Sequence, residues 1–204
     1  HVEQGDHVWV CVVANRAYGH RYDPEMIAQE KRAAEKARAL LGYQELVFLD
    51  LPDERLDSCL QDIIIPLEEV FDEVSPQVVY LSHMGDLNQD HRAVALAGMV
   101  VLRPHSGKRP RSIFAYEVPS STDQAFPLPH MAYQPNFYVD ISDQLCRKLA
   151  ALQCYERESR TYPHPRSPEA IEVHAKERGT EIGLEAAEAF VMLRDEWPKN
   201  NQWR

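Results

Sequence analysis

The stretch "HMGDLNQDH" at 83–91 puts two histidines, two aspartates and an asparagine into nine residues, directly after the apolar run "QVVYLS". A histidine opening a helix presents one ring nitrogen to a cleft, while a neighbouring carboxylate takes the proton of the other nitrogen. Asp90–His91 suits a metal ligand, His91, with its supporting carboxylate. The plain alternative is that Asp90 caps the helix "HRAVALAGMVVL" and His91 is a surface residue of its first turn. His83, Asp86 and Asn88 share the loop and supply hydrogen-bond donors and acceptors, although solvent alone also permits a polar loop.

The elements around the loop say where it must sit. "HVWVCVVA" (7–14) reads as a strand buried on both faces, "ELVFLDL" (45–51) as a second, "QVVYLS" (77–82) as a third and "SIFAYEV" (112–118) as a fourth, with "NFYVDI" (136–141) a shorter fifth. Helical patterns lie between them: 24–42, opened by Pro24 and stopped by Gly42; 55–74, which Pro66 should kink or divide; and 90–102. Two further helices are expected, one over 142–158 capped by Ser142, the other over 167–194 with Ser167 as cap and Pro168 in its first turn. Strand and helix alternation predicts an α/β fold, a doubly wound and mostly parallel sheet flanked by helices, in a single domain. Such a sheet binds ligands beyond the carboxyl ends of its strands, and "SHMGDLNQDH" is one of those ends.

Composition narrows the function. The 204 residues carry a formal net charge of −10, which argues against nucleic acid and anionic membranes as partners. No apolar run approaches a membrane span, and no leader pattern opens the chain, so a soluble, cytoplasmic protein is expected. The four cysteines lack CxxC spacing, which favours reduced packing thiols and leaves His and carboxylate as metal donors. "NRAYGHRYD" (15–23) follows the first strand, so Arg16, Tyr18, His20 and Arg21 are candidates to bind a hydroxylated substrate. Glu117 ends a strand at the same sheet edge and is a further pocket candidate. His174 reads as a packing or surface histidine, and Gly179 and Gly183 as positions of close helix packing.

Four ordered segments, "HMGDLNQDHRAV", "YEVPSS", "NFYVDIS" and "SPEAIEVHAKERGTEIGLEAAEAF", resemble the LmbE-like, or PIG-L, zinc deacetylases, which remove N-acetyl groups from amino sugars and their conjugates. The resemblance runs over nearly the whole chain. It implies a Rossmann-like fold, a homo-oligomer, a small N-acetylated sugar as substrate, and one zinc ion (Zn2+) held by two histidines and an aspartate.

Carried over by motif, His91 matches the family's downstream zinc-binding histidine and Asp90 the acidic residue before it. Asn88 stands where many members have a histidine that stabilises the oxyanion or donates a proton. Asn88 can donate a hydrogen bond but not a titrating proton, so His83 is the candidate substitute. Asp90, Asn88 and His83 are thus the catalytic candidates. The family's N-terminal His-Pro-Asp-Asp motif, whose histidine and second aspartate bind zinc and whose first aspartate is the general base, does not occur in these residues. The resemblance places it upstream of His1, together with a further strand. Two other readings share the scaffold: a metal-dependent hydratase of an unsaturated carboxylic acid, suggested by Asn88, and a non-catalytic module, suggested by the lack of that motif.

Overall fold

The computed structural model describes residues 1–15, 24–107 and 109–197. Strand β1 (Trp9–Asn15) pairs in parallel with β2 (Glu45–Pro52), and helix α1 (Pro24–Leu41) connects them. Helix α2 (Leu60–Val74) leads to β3 (Val78–Ser82), α3 (Gln89–Val101) and β4 (Ser112–Tyr116), and β3 and β4 are again parallel. The chain then forms β5 (Phe137–Asp140), α4 (Leu145–Gln153), α5 (Pro168–Thr180) and β6 (Ala187–Asp195). The sheet order is β1-β2 in one sheet and β3-β4-β6-β5 in the other. The α/β class is the expected one, and the first four strands form parallel pairs. β6 runs antiparallel to both β4 and β5.

The largest core lies between α2, α3 and the first sheet. Ile63, Leu67, Ala93, Ala97 and Val101 are buried there, with Cys11, Val13, Leu49 and Leu51 packed on them. Burying an aliphatic side chain such as Ile63, which is fully enclosed, contributes about 1.5–3 kcal/mol. This packing overrides Pro66: α2 runs undivided from Leu60 to Val74, because Ile63, Ile64 and Leu67 on either side of the proline are all held in the core. The second sheet carries an aromatic stripe in which Phe114 lies 4.6 Å from Phe137 and 5.4 Å from Tyr80, measured between ring centroids.

Two sequence expectations fail in the C-terminal third. The helix expected over 167–194 stops at Thr180, and "AEAFVMLRD" is β6. Gly183 has φ 78, which breaks the helix, and the β-prone run that follows finds ladder partners on both sides in β4 and β5. Gly179 is needed for another reason: a Cβ there would lie 2.6 Å from the Leu184 carbonyl oxygen, so α5 and the turn after it meet backbone to backbone. Ser142 does not cap α4. Its hydroxyl donates to Asp140 Oδ1, and α4 begins at Leu145.

Candidate active site at the start of the third helix

Ser82 ends β3, and the loop 83–88 returns the chain into α3. Asn88 caps that helix, its Oδ1 accepting from the Asp90 amide at 2.8 Å. Arg92, one turn on, donates to the carbonyls of Asp86 and Leu87, both at 2.6 Å, and ties the loop to the helix.

Asp86 is the centre of this loop and has no solvent exposure. Oδ1 accepts from the Asn88 amide at 2.7 Å and lies 3.2 Å from His91 Nδ1. Oδ2 accepts from Thr122 Oγ1 at 2.7 Å and Ser121 Oγ at 2.9 Å. Burial alone raises the pKa of the Asp86 carboxyl. The bonds from His91, Thr122 and the Asn88 amide outweigh it and hold the pKa below the ordinary value. A charged Asp86 keeps the proton on Nδ1 of His91, and Nε2 becomes the nitrogen available to the cleft.

His91 lines two adjoining cavities, of about 800 and 230 Å³. The larger is bounded by Asn15, Asp53, Glu54, Asn88, Ser120 and the pair Glu158 and Arg166, among others. The smaller takes its walls from Cys11, Val13 and Ala14 of β1 and from Ser82 and Tyr116 at the ends of β3 and β4.

Two residues at the rim of the larger cavity hold strained backbone, Glu54 with φ 63 and Ser120 with φ 77. Glu54 is held from α3: its amide donates to Asp90 Oδ2 at 2.6 Å, and its carbonyl accepts from Gln89 Nε2 at 3.0 Å. A β-bulge delivers that turn. The β1–β2 register shifts between Val12 and Ala14, and Asp50, with φ 55, accepts from Asn15 Nδ2 and Lys31 Nζ.

The structure distributes the candidates unevenly. His91, Asn88 and Asp90 come together at the cavities. Asp90, however, does not partner His91: its carboxylate accepts from the amides of Glu54 and Leu56 and braces that turn. The partner is Asp86, from the loop before the helix. His83 turns away, its Nε2 3.0 Å from the Met131 carbonyl and its ring edge-on to Tyr133, and it lines neither cavity. Glu117 also faces elsewhere, bound by Arg178 through both oxygens and 3.0 Å from His174 Nε2. Arg16, Tyr18, His20 and Arg21 lie outside the described residues.

Sequence reading overlooked Asp86 as the orienting carboxylate, along with Ser121, Thr122, Glu158 and Arg166. The one local signal was an aspartate and a glycine turn five residues ahead of a helix-opening histidine. The other partners come from distant segments.

Among the described residues no three His, Cys, Asp or Glu side chains gather closely enough to hold a metal ion. His91 could serve as a ligand, with a buried carboxylate behind Nδ1 and its ring lining both cavities, but the described donors alone do not make up a zinc site. Among these residues no helix is long and apolar enough to cross a membrane.

Residues 1–102 match the model of the family described as PIG-L: GlcNAc-PI de-N-acetylase. A protein of Escherichia coli (strain K12), the uncharacterized deacetylase YaiS, is 28% identical over 133 residues, which cover 62% of this chain and 65% of that protein. The chain thus spans just under two thirds of this relative. Among solved structures, the conserved protein TT1542 from Thermus thermophilus overlays all of this chain and 88% of its own, with TM-score 0.75 and 19% identity. The N,N'-diacetylchitobiose deacetylase from Pyrococcus horikoshii overlays 94% of this chain and 74% of its own, with TM-score 0.73 and 18% identity. The structural likeness shows the fold; the match over 102 of the 204 residues, half the chain, decides the family: this chain belongs to the PIG-L, or LmbE-like, family of deacetylases.

Proposed function

We propose that this protein hydrolyses the acetamide of an N-acetylglucosamine-like sugar or conjugate, releasing acetate and the free amine, with zinc as cofactor. The observation that carries the reading is His91, held through Nδ1 by the fully buried Asp86 and lining a cavity large enough for a sugar. Zinc bound beside His91 would supply a Lewis acid and a water of lowered pKa for the hydrolysis. His91 would be one of its ligands. The smaller cavity supports that assignment. It adjoins His91 and lies between β1 and the ends of β3 and β4.

The chain's own residues do the orienting. Asp86 fixes the His91 ring. Asn88 has its Oδ1 committed to the helix cap, which leaves its amide N–H groups as the donor toward the substrate carbonyl oxygen in place of a histidine. Asp90 takes a supporting part by holding the strained Glu54 turn at the rim. Arg16, Tyr18, His20 and Arg21 follow directly on Asn15, which lines the larger cavity, and are assigned to the sugar. The protein works in the cytoplasm as a homo-oligomer in this reading.

The test is acetate release by the full-length protein from N-acetylglucosamine and its conjugates, with bound zinc quantified in the same sample. One acetate per amine is expected, and no release from any of them would overturn the reading. Asp86→Asn should lower kcat/KM by about 10–100-fold, the usual cost of losing the carboxylate behind a ligating histidine.

A further inference from the structure

The connector between α4 and α5 reaches the larger cavity with two side chains of opposite charge, Glu158 and Arg166. Backbone bonds fix this segment without help from the pair: Glu158 N donates to the Tyr155 carbonyl, Arg160 N to the Arg166 carbonyl, and Ser167 N to the His164 carbonyl. Arg166 N donates to His164 Nδ1, and the fully buried Ser167 caps α5 through the Ala170 amide. Pro163, Pro165 and Pro168 restrict it further. Arg166 Nη1 donates to Glu158 Oε2, with the side chains 32% and 19% exposed. An ion pair that keeps this much contact with water contributes only about 0–1 kcal/mol, so stability alone does not account for the pair.

Its chemistry defines a ligand. A guanidinium offers N–H donors in a planar fork, and a carboxylate offers acceptors beside it. Adjacent ring hydroxyls each accept one hydrogen bond and donate another, which is the complement of such a pair. An anion gains little here, because Glu158 already neutralises Arg166. Among the described residues the same cavity also carries the carboxylates of Asp53, Glu54 and Asp90. An apolar group would bury the pair without replacing its water.

We infer that Glu158 and Arg166 form the subsite that recognises the neighbouring hydroxyls of the substrate's sugar ring, and that they set specificity for a hydroxylated ring over other acetamides. This rests on the deacetylase reading above for the identity of the substrate. Binding of glucosamine and of cyclohexylamine, both as ammonium ions, to the full-length protein by NMR titration tests it without turnover. The wild type should bind glucosamine more tightly. Glu158→Gln and Arg166→Met should each weaken glucosamine by about tenfold, the scale of one hydrogen bond to a charged group, and leave cyclohexylamine unchanged. Thermal melting of each variant checks that it is folded. The inference is overturned if the wild type does not prefer glucosamine, if folded variants keep that preference, or if they lose both ligands equally. Acetate release is scored separately: a wild type that prefers glucosamine yet releases no acetate defeats the deacetylase reading and leaves the subsite standing.

Discussion

Two carboxylates in this molecule, Asp86 fully buried and Glu117 partly so, each hold a histidine, His91 and His174 respectively. The two imidazoles are equally exposed, 32% each, yet they are not equivalent. Asp86 meets amide and hydroxyl donors plus one nitrogen of His91, and the other nitrogen is left to the cavity. Glu117 is neutralised by the two-pronged grip of Arg178, and His174 has both nitrogens toward carboxylates, Nε2 toward Glu117 and Nδ1 4.0 Å from Glu177. The first arrangement suits the ligand role proposed for His91; the second is an ion cluster that fastens α5 to the end of β4. Exposure does not separate the histidine proposed to work from the structural one here. The destination of its second nitrogen does.

Breaking each cluster should therefore give opposite phenotypes. His91→Ala should cost about 10³-fold in kcat/KM with thermal stability near wild type, as expected for a group at the reacting atoms, whereas His174→Gln should leave kcat/KM within a few-fold. Equal losses in the two variants would erase the contrast. Arg178→Met strands the Glu117 charge in a site where it is 15% exposed and should destabilise the fold by about 3–5 kcal/mol in urea titration, with little change in activity per folded molecule. A stable but inactive Arg178 variant would move this cluster into the catalytic machinery.

The smallest effect is a pH dependence. Burial raises the pKa of Glu117, but the bonds from His174 and Arg178 outweigh it and hold the carboxyl below its ordinary 4.5. A folded-state pKa below the unfolded one gives stability that is fully present above pH 4.5 and is lost as pH falls through the lower folded value. Urea midpoints measured from neutral pH down through that range should fall, and less steeply for Glu117→Gln. Identical slopes would remove Glu117 from the linkage.

How much of this was legible in the sequence varied along the chain. Continuous β-branched runs gave β1 to β4 within two residues or so, because that pattern is local, although β1, expected to be buried on both faces, is only half-buried along its length. "AEAFVMLRD" misled because alanine, glutamate, methionine and leucine also suit a helix; its ladder partners in β4 and β5 lie far away in sequence. In the site, His91 and the Asn88 cap were visible as a helix start. The carboxylate behind His91 was assigned to Asp90, its neighbour in sequence, although that carboxylate reaches instead to the turn at Glu54 and Leu56.

The sequence by itself determined the alternation of strands and helices, the polar loop at a strand's carboxyl end, and the histidine that opens α3. These follow from local hydrophobic period and backbone preference. Tertiary structure alone decided which carboxylate meets which histidine and which histidine meets the cavity. Asp86 is completed by Ser121 and Thr122, and the cavity by Glu158 and Arg166, groups brought together only when segments distant in sequence meet in the fold. A side chain's own neighbours in sequence set where its backbone goes, but hydrogen bonds and burial in the folded state set where its charge points.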